Sequence, residues 1–405
     1  MNTCGIVVEY NPFHNGHYYH LQQSKKQTKS DVMIAVMSGN FLQRGEPAII
    51  SKWKRAEMAL YSGVDLVVEL PYVFAVAPAP IFAKGSISLL AALGANTLCF
   101  GSESGSIDLF YHTLEQLNTK GAQYDQFLQT FLKQGQSFPK AASNAAQALH
   151  IKNGVDLTLP NNILGMEYVK AIQKDHPLIQ AQTILRKGAS YHETNLEADP
   201  IASATAIRTT IAKEGALTDR VLATMPPSSA AVLQQEWEKN HIMTWDALYP
   251  ALRYKLLSTD ESAIAALYEV EEGLEHRLKK AALQCDTFTD FMTHIKTKRY
   301  TWTRLQRMCL HILHNLAREQ AKQWMVNGPA YVRILGMSSK GQEHLRRIKK
   351  AIPLPLVTTV SKCDHEMLAF EQQTAAVYHN ANDPNHASEL IKAEYSTPPL
   401  QREKA

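Results

Sequence analysis

The sequence predicts an α/β protein with a Rossmann-like parallel sheet, followed by a mostly α-helical C-terminal domain. Over the first 225 residues, short apolar runs alternate with amphipathic segments, which is the pattern of repeated β-α-β units. From residue 230 to about 350, the apolar residues recur with helical spacing instead. A hydrophobic content of 45% over 405 residues is enough for the cores of two domains, or of three.

The first half of the α/β region contains the clearest strands and helices. Strands are predicted at 5–9, 31–37, 65–70 and 97–100, and helices at 15–27, 52–61 and 86–93. Parallel sheets bind ligands beyond the carboxyl ends of their strands. The loops after residues 9, 38, 70 and 100 are therefore where a binding site is expected.

The rest of the chain is assigned more coarsely. A helical extension is predicted at 106–175, a strand at 179–185 and a helix from 203 to about 213. The turn-rich segment Pro226–Ser229 marks the predicted domain boundary. This gives an α/β domain over 1–225, a helical domain over 226–380, and a flexible tail over 381–405, where apolar periodicity is missing.

Composition and cysteine usage restrict the class of protein. The formal net charge of +4 is too mild to indicate a nucleic-acid binder without further support. The five cysteines are scattered, odd in number and free of CxxC spacing, which argues against a disulfide framework and a zinc ribbon. No signal peptide is recognisable, and the most apolar stretch, around 72–100, is interrupted by prolines and glycines. We therefore expect a cytoplasmic protein without a membrane span.

The first functional motif is Asn11–His17, which follows the first strand and opens the first helix. A helix N-terminus offers unpaired N–H groups to a phosphate, and Gly16 allows a nucleotide to approach the backbone. His14 and His17 are three residues apart, so both can direct donors at the charge that develops during nucleotidyl transfer. Two alternatives are a metal cluster that includes His20 and ordinary surface histidines.

The second motif, Ser203–Arg208, begins a helix late in the α/β region. Ser203 is a natural N-cap, Thr205 faces the same opening, and Arg208 can supply a guanidinium to the β- and γ-phosphates. Alone this pattern is weak, because a capped helix carrying an arginine is common. Together with the upstream HxGH motif (His14 to His17), it resembles the paired motifs of the HxGH nucleotidyltransferases, and that resemblance implies one ATP bound by both helix N-termini.

Five segments appear in the order that is found in one enzyme family. They are GIVVEYNPFHNGH at 5–17, MSGNFLQRGEP at 37–47, PNNILG at 160–165, RKGASYH at 186–192 and SATAIR at 203–208. Over essentially its whole length the chain resembles the bacterial tRNA(Met) cytidine acetate ligase family, within the HxGH nucleotidyltransferase superfamily.

That resemblance implies a two-step reaction. Acetate and ATP give acetyl-adenylate and pyrophosphate, and the acetyl group then passes to N4 of the wobble cytidine, nucleotide 34, of elongator tRNA(Met). The family uses no acetyl-CoA. Mg²⁺ is expected with the ATP phosphates, without protein ligands that the sequence identifies. No protein partner and no resident metal site are implied.

The resemblance also assigns site residues. His14 and His17 are expected to be catalytic. ATP is expected to contact the loop residues Val7, Val8, Glu9, Tyr10, Asn11, Pro12, Phe13, His14, Asn15, Gly16, His17, Tyr18, Tyr19 and His20, together with Gly101, Asn161 or Asn162, Arg186, Ser203, Thr205 and Arg208. The asparagine pair could equally cap a helix. Ala202 stands where related enzymes often have a hydroxyl, so one phosphate contact is expected to be missing.

Two further regions are candidate contacts for the other substrates. The loop Ser38–Pro47, with Asn40, Gln43 and Arg44, is expected to meet acetate or the incoming base, or to be a plain surface turn. Basic residues near Tyr300, Trp302 and Tyr331 suit an RNA backbone with stacked bases, or form a solvated helix face. The predicted tRNA contacts are Lys298, Arg299, Arg304, Arg307, Arg333, Arg346, Arg347, Lys349 and Lys350.

Two rival functions remain open at the level of the sequence. One is an adenylyltransferase that builds a small cofactor, although such enzymes are usually much shorter and lack a basic helical domain. The other is a nucleotide- or RNA-binding module without catalysis. The intact HxGH and Ser203–Arg208 motifs count against a decayed site.

Overall fold

The computed structural model describes residues 1–186, 202–271 and 273–402. The part of the RKGASYH segment that follows Arg186 lies outside these residues. Within the described ranges, the predicted α/β class is confirmed, with a mostly parallel sheet surrounded by helices.

The strands form one eight-stranded sheet in the order β5-β4-β1-β2-β3-β6-β7, with β8 paired to β6. Their bounds are β1 Thr3–Val8, β2 Val32–Ser38, β3 Leu66–Leu70, β4 Thr97–Ser102, β5 Gln180–Leu185, β6 Val332–Ser338, β7 Leu356–Val357 and β8 Leu400–Arg402. The first five strands are mutually parallel. Every residue of the central strand β2 is buried, because helices cover both faces of the sheet.

Helices connect the parallel strands and then form the C-terminal layer. In the first part of the chain they are α1 Asn15–Thr28, α2 Lys52–Tyr61, α3 Tyr72–Ala75, α4 Ala79–Ala92, α5 Ile107–Thr119, α6 Gly121–Lys133, α7 Phe138–Ala148, α8 Pro160–Asp175, α9 Ala204–Glu214 and α10 Asp219–Leu222. The others are α11 Pro227–Glu238, α12 Trp245–Ser258, α13 Glu261–Ala265, α14 Leu274–Gln284, α15 Phe288–Ile295, α16 Trp302–Leu313, α17 Arg318–Asn327, α18 Ser339–Ile348, α19 Glu366–Asn382 and α20 Ala387–Ser396. None of the helices in the described ranges is long and apolar enough to cross a membrane.

The C-terminal region contributes to the sheet as well as to the helical layer. Strand β6 pairs antiparallel with β3, with Leu66 opposite Met337 and Glu69 opposite Arg333. The expectation of helix throughout 230–350 is therefore wrong at 332–338. The run VRILGM is buried because it extends the parallel sheet and pairs with β3 and also with β7 and β8.

The segment 381–405 was expected to be a flexible tail, and its described part is ordered structure. It contains the whole of α20 and of β8, whose residue Leu400 lies opposite Gly336 of β6. A buried ionic cluster attaches α20 to the α/β region: the Lys52 Nζ atom lies 2.7 Å from Glu69 and 2.8 Å from Glu394. Since none of these three side chains is more than 1% exposed, the cluster fixes the end of the chain to the core.

Candidate active site

The site begins in the loop that follows β1. Tyr10 adopts a positive φ of 52°, and the Asn11-Pro12 peptide bond is cis. Tyr10 and Phe13 are buried with their rings 4.5 Å apart, and the Asn11 Oδ1 atom accepts the Ile49 N–H at 2.7 Å. These contacts position the loop so that His14 becomes the N-cap of α1.

His14 and His17 form a reciprocal capping box at the N-terminus of α1. The His14 Nδ1 atom accepts the Gly16 N–H at 3.0 Å, and the His17 Nδ1 atom accepts the His14 N–H at 3.4 Å. Burial, with nearby Arg186 and Arg208, lowers the pKa of His14 to about 3, and burial lowers that of His17 well below its usual value. Both rings are therefore neutral near pH 7. Because each Nδ1 accepts a hydrogen bond, each ring carries its proton on Nε2 and can donate it to a ligand.

The N-terminus of α9 provides the second capped helix. The Ser203 Oγ atom accepts the Ala206 N–H at 3.1 Å, which confirms the predicted N-cap. Thr205 is exposed, and the guanidinium of Arg208 donates to the Asn11 carbonyl at 2.9 Å and to Glu46 at 2.6 Å. In this structure Arg208 therefore connects the HxGH loop to the loop after β2.

A cavity of about 370 Å³ lies between these two helix N-termini. The predicted residues that line it are Val7, Val8, Glu9, His14, Gly16, His17, Tyr19, His20, Gly101, Asn161, Arg186 and Ser203. The predicted residues that do not line it are Tyr10, Asn11, Pro12, Phe13, Asn15, Tyr18, Asn162, Thr205 and Arg208. Of these, Tyr10, Asn11 and Phe13 are buried and shape the loop from behind, whereas the Tyr18 side chain is 42% exposed.

The two asparagines at the start of α8 have different roles. Asn161 lines the cavity, where its Nδ2 atom donates to Glu103 at 2.6 Å. Asn162 is buried, and its Oδ1 atom accepts the N–H groups of Glu103 and Ser104 at 3.1 and 3.2 Å. The Glu103 carboxylate in turn accepts the Asn162 N–H at 2.8 Å and caps α8. Asn161 is thus the member of the pair that can meet a ligand.

The loop after β2 reaches the same cavity. The backbone N–H of Gln43 donates to the Glu9 Oε1 atom at 2.7 Å, and its side-chain Nε2 donates to the Ala77 carbonyl at 3.2 Å. Gln43 and Arg44 line the cavity, so this loop is not a plain surface turn, and its contact with acetate or the incoming base stays a prediction. Asn40 does not, because its Oδ1 atom accepts the Lys52 N–H at 2.8 Å.

The apolar wall of the cavity was missed at the level of the sequence. It includes Ala79 and Phe82 of α4, Phe100 of β4, and Ile163, Leu164 and Tyr168 of α8. Their apolar spacing is the same as that of ordinary core residues, so no motif distinguishes them. Only the packing of α4 and α8 against the strand ends shows that these residues face a ligand space.

Similarity to known proteins extends over the whole chain. The family described as HIGH Nucleotidyl Transferase matches residues 1–393. A tRNA(Met) cytidine acetate ligase from Geobacillus sp. (strain WCH70) is 44% identical over 402 residues, which cover 99% of this chain and 100% of that protein. The chain belongs to the tRNA(Met) cytidine acetate ligase family of HIGH nucleotidyl transferases.

Other members of this family agree in length and fold. The enzyme of the same name from Halalkalibacterium halodurans is 43% identical, with 99% of this chain and 97% of that protein covered. The apo crystal structure of Thermotoga maritima TmcAL superposes with a TM-score of 0.91 at 34% identity, covering 100% of both chains. The structure of the same protein bound with alpha-thio ATP has a TM-score of 0.89 at 33% identity, again covering all of both chains.

The basic residues predicted to contact tRNA do not form one surface. Lys298 and Arg299 are exposed beside Trp302, which is 39% exposed, and Arg304 pairs with Glu271. The expectation is corrected for Arg307 and Arg333. Both are buried, Arg307 against Glu269 at 3.2 Å and Arg333 against Glu69 and Glu394 at 3.3 and 3.4 Å.

The remaining basic residues lie on and just after α18, at the end of the sheet where the parallel strands begin. Because β6 runs antiparallel to β3, its last residue, Ser338, lies where β3 begins, and α18 starts there. The His344 Nε2–H donates to the Leu93 carbonyl at 2.8 Å, just before β4. This amino-terminal end of the strands carries four exposed basic residues, Arg346, Arg347, Lys349 and Lys350. The cavity lies beyond the opposite, carboxyl ends of the strands.

Proposed function

We propose that this chain is an ATP-dependent acetate ligase that acetylates N4 of the wobble cytidine, nucleotide 34, in elongator tRNA(Met). The observation that supports this most directly is the cavity between two capped helix N-termini, with the Nε2–H donors of His14 and His17 in its lining. The family membership supplies the substrates, and the cavity supplies groups suited to activating a carboxylate with ATP.

In the first step, an acetate oxygen attacks the α-phosphorus of ATP, and pyrophosphate leaves. Negative charge develops on the phosphoryl oxygens, and fixed donors directed at that charge stabilise the transition state. His14, His17 and the N-termini of α1 and α9 are placed to do this without a net charge on either imidazole. Asn161, Gly101 and Arg186 lie at the β4 and β5 side of the cavity, where we place the adenosine.

In the second step, the cytidine amine attacks the acetyl carbonyl carbon, and AMP leaves. This nitrogen is a poor nucleophile because its lone pair is delocalised into the ring, so holding it in line with the anhydride is essential. A wobble base in an anticodon loop can be splayed out and captured singly. The reaction requires no acetyl-CoA and takes place in the cytoplasm.

Mg²⁺ enters with the ATP in this scheme. Within the described residues, no group of three or more His, Cys, Asp or Glu side chains is placed to hold a metal ion. The carboxylate in the described lining is Glu9, and it accepts a backbone N–H from Gln43. We therefore assign the ligands of Mg²⁺ to phosphate oxygens and water, which this ion prefers in nucleotide sites.

For the tRNA, we propose docking at Lys298, Arg299, Arg304 and Trp302. This group lies on or just before α16, and α16 packs against the loop that lines the cavity. A Cβ added at Gly45 would lie 2.3 Å from the backbone nitrogen of Arg307, so loop and helix are in direct contact. The exposed side chains of Lys298, Arg299 and Trp302 suit a phosphate backbone with a stacked base.

The test is the transfer of radiolabelled acetate to unmodified bulk tRNA, followed by nucleoside analysis. Label in N4-acetylcytidine that requires ATP and does not require CoA is the expected result. Active protein and intact tRNA without label would refute the acetate ligase. That result would leave a cofactor-type adenylyltransferase, or a nucleotide-binding module, as the alternatives to be tested.

A further inference from the structure

The lining of the cavity includes residues of the segments that follow β2 and β3, as well as residues near the ends of β4 and β5. Glu9 lies just past the end of β1, and its Oε1 atom accepts the Gln43 N–H at 2.7 Å, so the carboxylate is turned towards the loop after β2. The Gln43 side chain continues in the same direction to the Ala77 carbonyl, before α4. Glu9, Gln43 and Arg44 therefore form a polar group of the cavity lining that follows β1 and β2, whereas Gly101 and Arg186 belong to the β4 and β5 side.

Binding of acetate and phosphate does not account for a carboxylate at this position. An anionic side chain repels both of these ligands, so Glu9 is expected to serve another part of the reaction. Burial raises the pKa of Glu9, while Arg44 lowers it to a smaller extent. A buried carboxyl with a raised pKa is a stronger proton acceptor than an exposed one.

Cytosine presents groups that match this polar part of the cavity lining. Its Watson–Crick edge carries an N4 amino donor next to the N3 and O2 acceptors, and carboxylates accept from N4 in protein–nucleic acid contacts. A carboxylate has two oxygens, so Glu9 can hold the Gln43 N–H with one and meet the amine with the other. The adjacent Arg44 guanidinium can donate to the acceptor atoms of the same edge.

We propose that Glu9 is the catalytic base for acetyl transfer and that Glu9 with Arg44 selects cytosine; this rests on the function proposed above. The N4 lone pair forms the bond to the acetyl carbon while the bond from that carbon to the AMP oxygen breaks, and AMP leaves with the electron pair. One N4 proton passes to the Glu9 carboxylate and from there to solvent. Carboxylate and guanidinium together discriminate cytosine from uracil, which presents an acceptor at the N4 position.

The histidines of the cavity are less suited to this role. His14 and His17 use Nδ1 to accept backbone N–H groups, so their Nε2 atoms carry protons and cannot accept another. His20 lies on the β4 side, where its Cδ2 atom would be 3.9 Å from a Cβ added at Gly101. Glu9 is the lining residue that combines an anionic acceptor with a position towards β2.

The test separates the two steps in a Glu9→Gln variant, which keeps the size of the side chain and an oxygen for the Gln43 N–H. Acetyl transfer to tRNA is expected to fall by about 100-fold or more relative to acetate-dependent exchange of pyrophosphate into ATP, which reports the first step of the same variant. Glu57→Gln, which removes a carboxylate of the α2 surface, is the matched control. Equal loss of both steps, or loss of neither, would overturn the assignment.

A binding measurement tests base selection independently of the chemistry. Anticodon stem-loops with cytidine or uridine at position 34 are titrated against the wild type and Glu9→Gln, without ATP. We expect the wild type to prefer cytidine and the variant to lose about tenfold of that preference, because an amide can donate to the uracil oxygen. An unchanged preference would overturn the selection role. A wild type without exchange and without transfer would refute the function proposed above instead.

Discussion

At the scale of single residues, the chemistry depends on two neutral histidines that also hold a helix turn. We predict that His17→Asn lowers acetate-dependent pyrophosphate exchange by about 100-fold or more, since one transition-state donor is lost. Asparagine keeps an acceptor for the His14 N–H, so the melting temperature is expected to stay close to that of the wild type. His276→Asn, at a side chain that is 64% exposed, serves as the control. Normal exchange in His17→Asn would refute the assignment of the phosphate site.

The two asparagines of α8 allow a second comparison at this scale. Asn161→Ala is expected to raise the KM for ATP with little change in stability, because Asn161 lines the cavity. Asn162→Ala removes hydrogen bonds to the backbone of Glu103, Ser104 and Asp156 at a buried position, and is expected to lower the free energy of unfolding by about 1–3 kcal/mol. Urea unfolding and steady-state kinetics check the pair. If Asn161→Ala lowered the free energy of unfolding and Asn162→Ala raised the KM for ATP instead, the orientation of this helix N-terminus would be contradicted.

At the scale of elements, the sequence predicted those parts whose signals are local. The five parallel strands follow from short apolar runs, and the Ser203 cap follows from residues that lie within one turn of each other. The helix N-termini of the site could therefore be located from the sequence alone. The order of the motifs along the chain then indicated which helix N-termini share a ligand.

The elements that were missed depend on contacts between distant parts of the chain. The run at 332–338 resembles a buried helix segment as much as a strand, and only its pairing with β3 decides between them. Likewise, α20 lacks a strong apolar face, and its position is fixed by the contacts of Glu394 with Lys52 and Trp53. A buried arginine such as Arg333 was therefore mistaken for a surface charge.

The loop after β2 shows the same dependence within the site. Gly45 has a φ of 77° and leaves no space for a side chain against α16, and the Trp245 Nε1–H donates to its carbonyl at 2.9 Å. The helical layer therefore holds the loop that carries Gln43 and Arg44. The sequence suggested this loop as a ligand contact or a surface turn, and the packing against α16 explains why it faces the cavity.

At the scale of the whole molecule, buried histidines connect stability to pH. Burial lowers the pKa of His314 to about 3, whereas an unfolded histidine titrates near about 6.5. Below about pH 6.5 the unfolded chain binds a proton that the folded chain does not bind. Each such histidine therefore lowers the free energy of unfolding by about 1.4 kcal/mol per pH unit as the pH falls towards about 3.

The prediction is tested by comparing how steeply the free energy of unfolding changes with pH in two proteins. His314→Gln is expected to reduce the loss of stability between about pH 6.5 and about pH 4, relative to the wild type, in urea titrations at several pH values. Glu371 has the opposite effect on the pH dependence of stability. Burial raises its pKa to about 8, so as the pH falls the folded state takes up a proton before the unfolded state does. Since Glu371 is present in both proteins, the difference between their slopes isolates the histidine. Parallel pH profiles would contradict the prediction.

The arrangement of charge over the whole molecule gives the last prediction. Lys298 and Arg299 lie just before α16, the helix that contacts the cavity-lining loop after β2. Arg346 and Arg347 lie on α18, at the amino ends of the parallel strands. We predict that Lys298→Glu with Arg299→Glu weakens tRNA binding more than Arg346→Glu with Arg347→Glu does, although both pairs change the net charge by the same amount.

Binding of tRNA measured over a range of salt concentrations distinguishes contact from general attraction. Loss of phosphate contacts lowers the slope of log affinity against log salt by about 0.7–0.9 for each contact. We expect the first pair to lower this slope while acetate-dependent pyrophosphate exchange is retained, since neither residue lines the cavity. Equal effects of the two pairs would indicate that only the overall positive charge attracts the tRNA. A larger effect of the second pair would place the docking surface at α18.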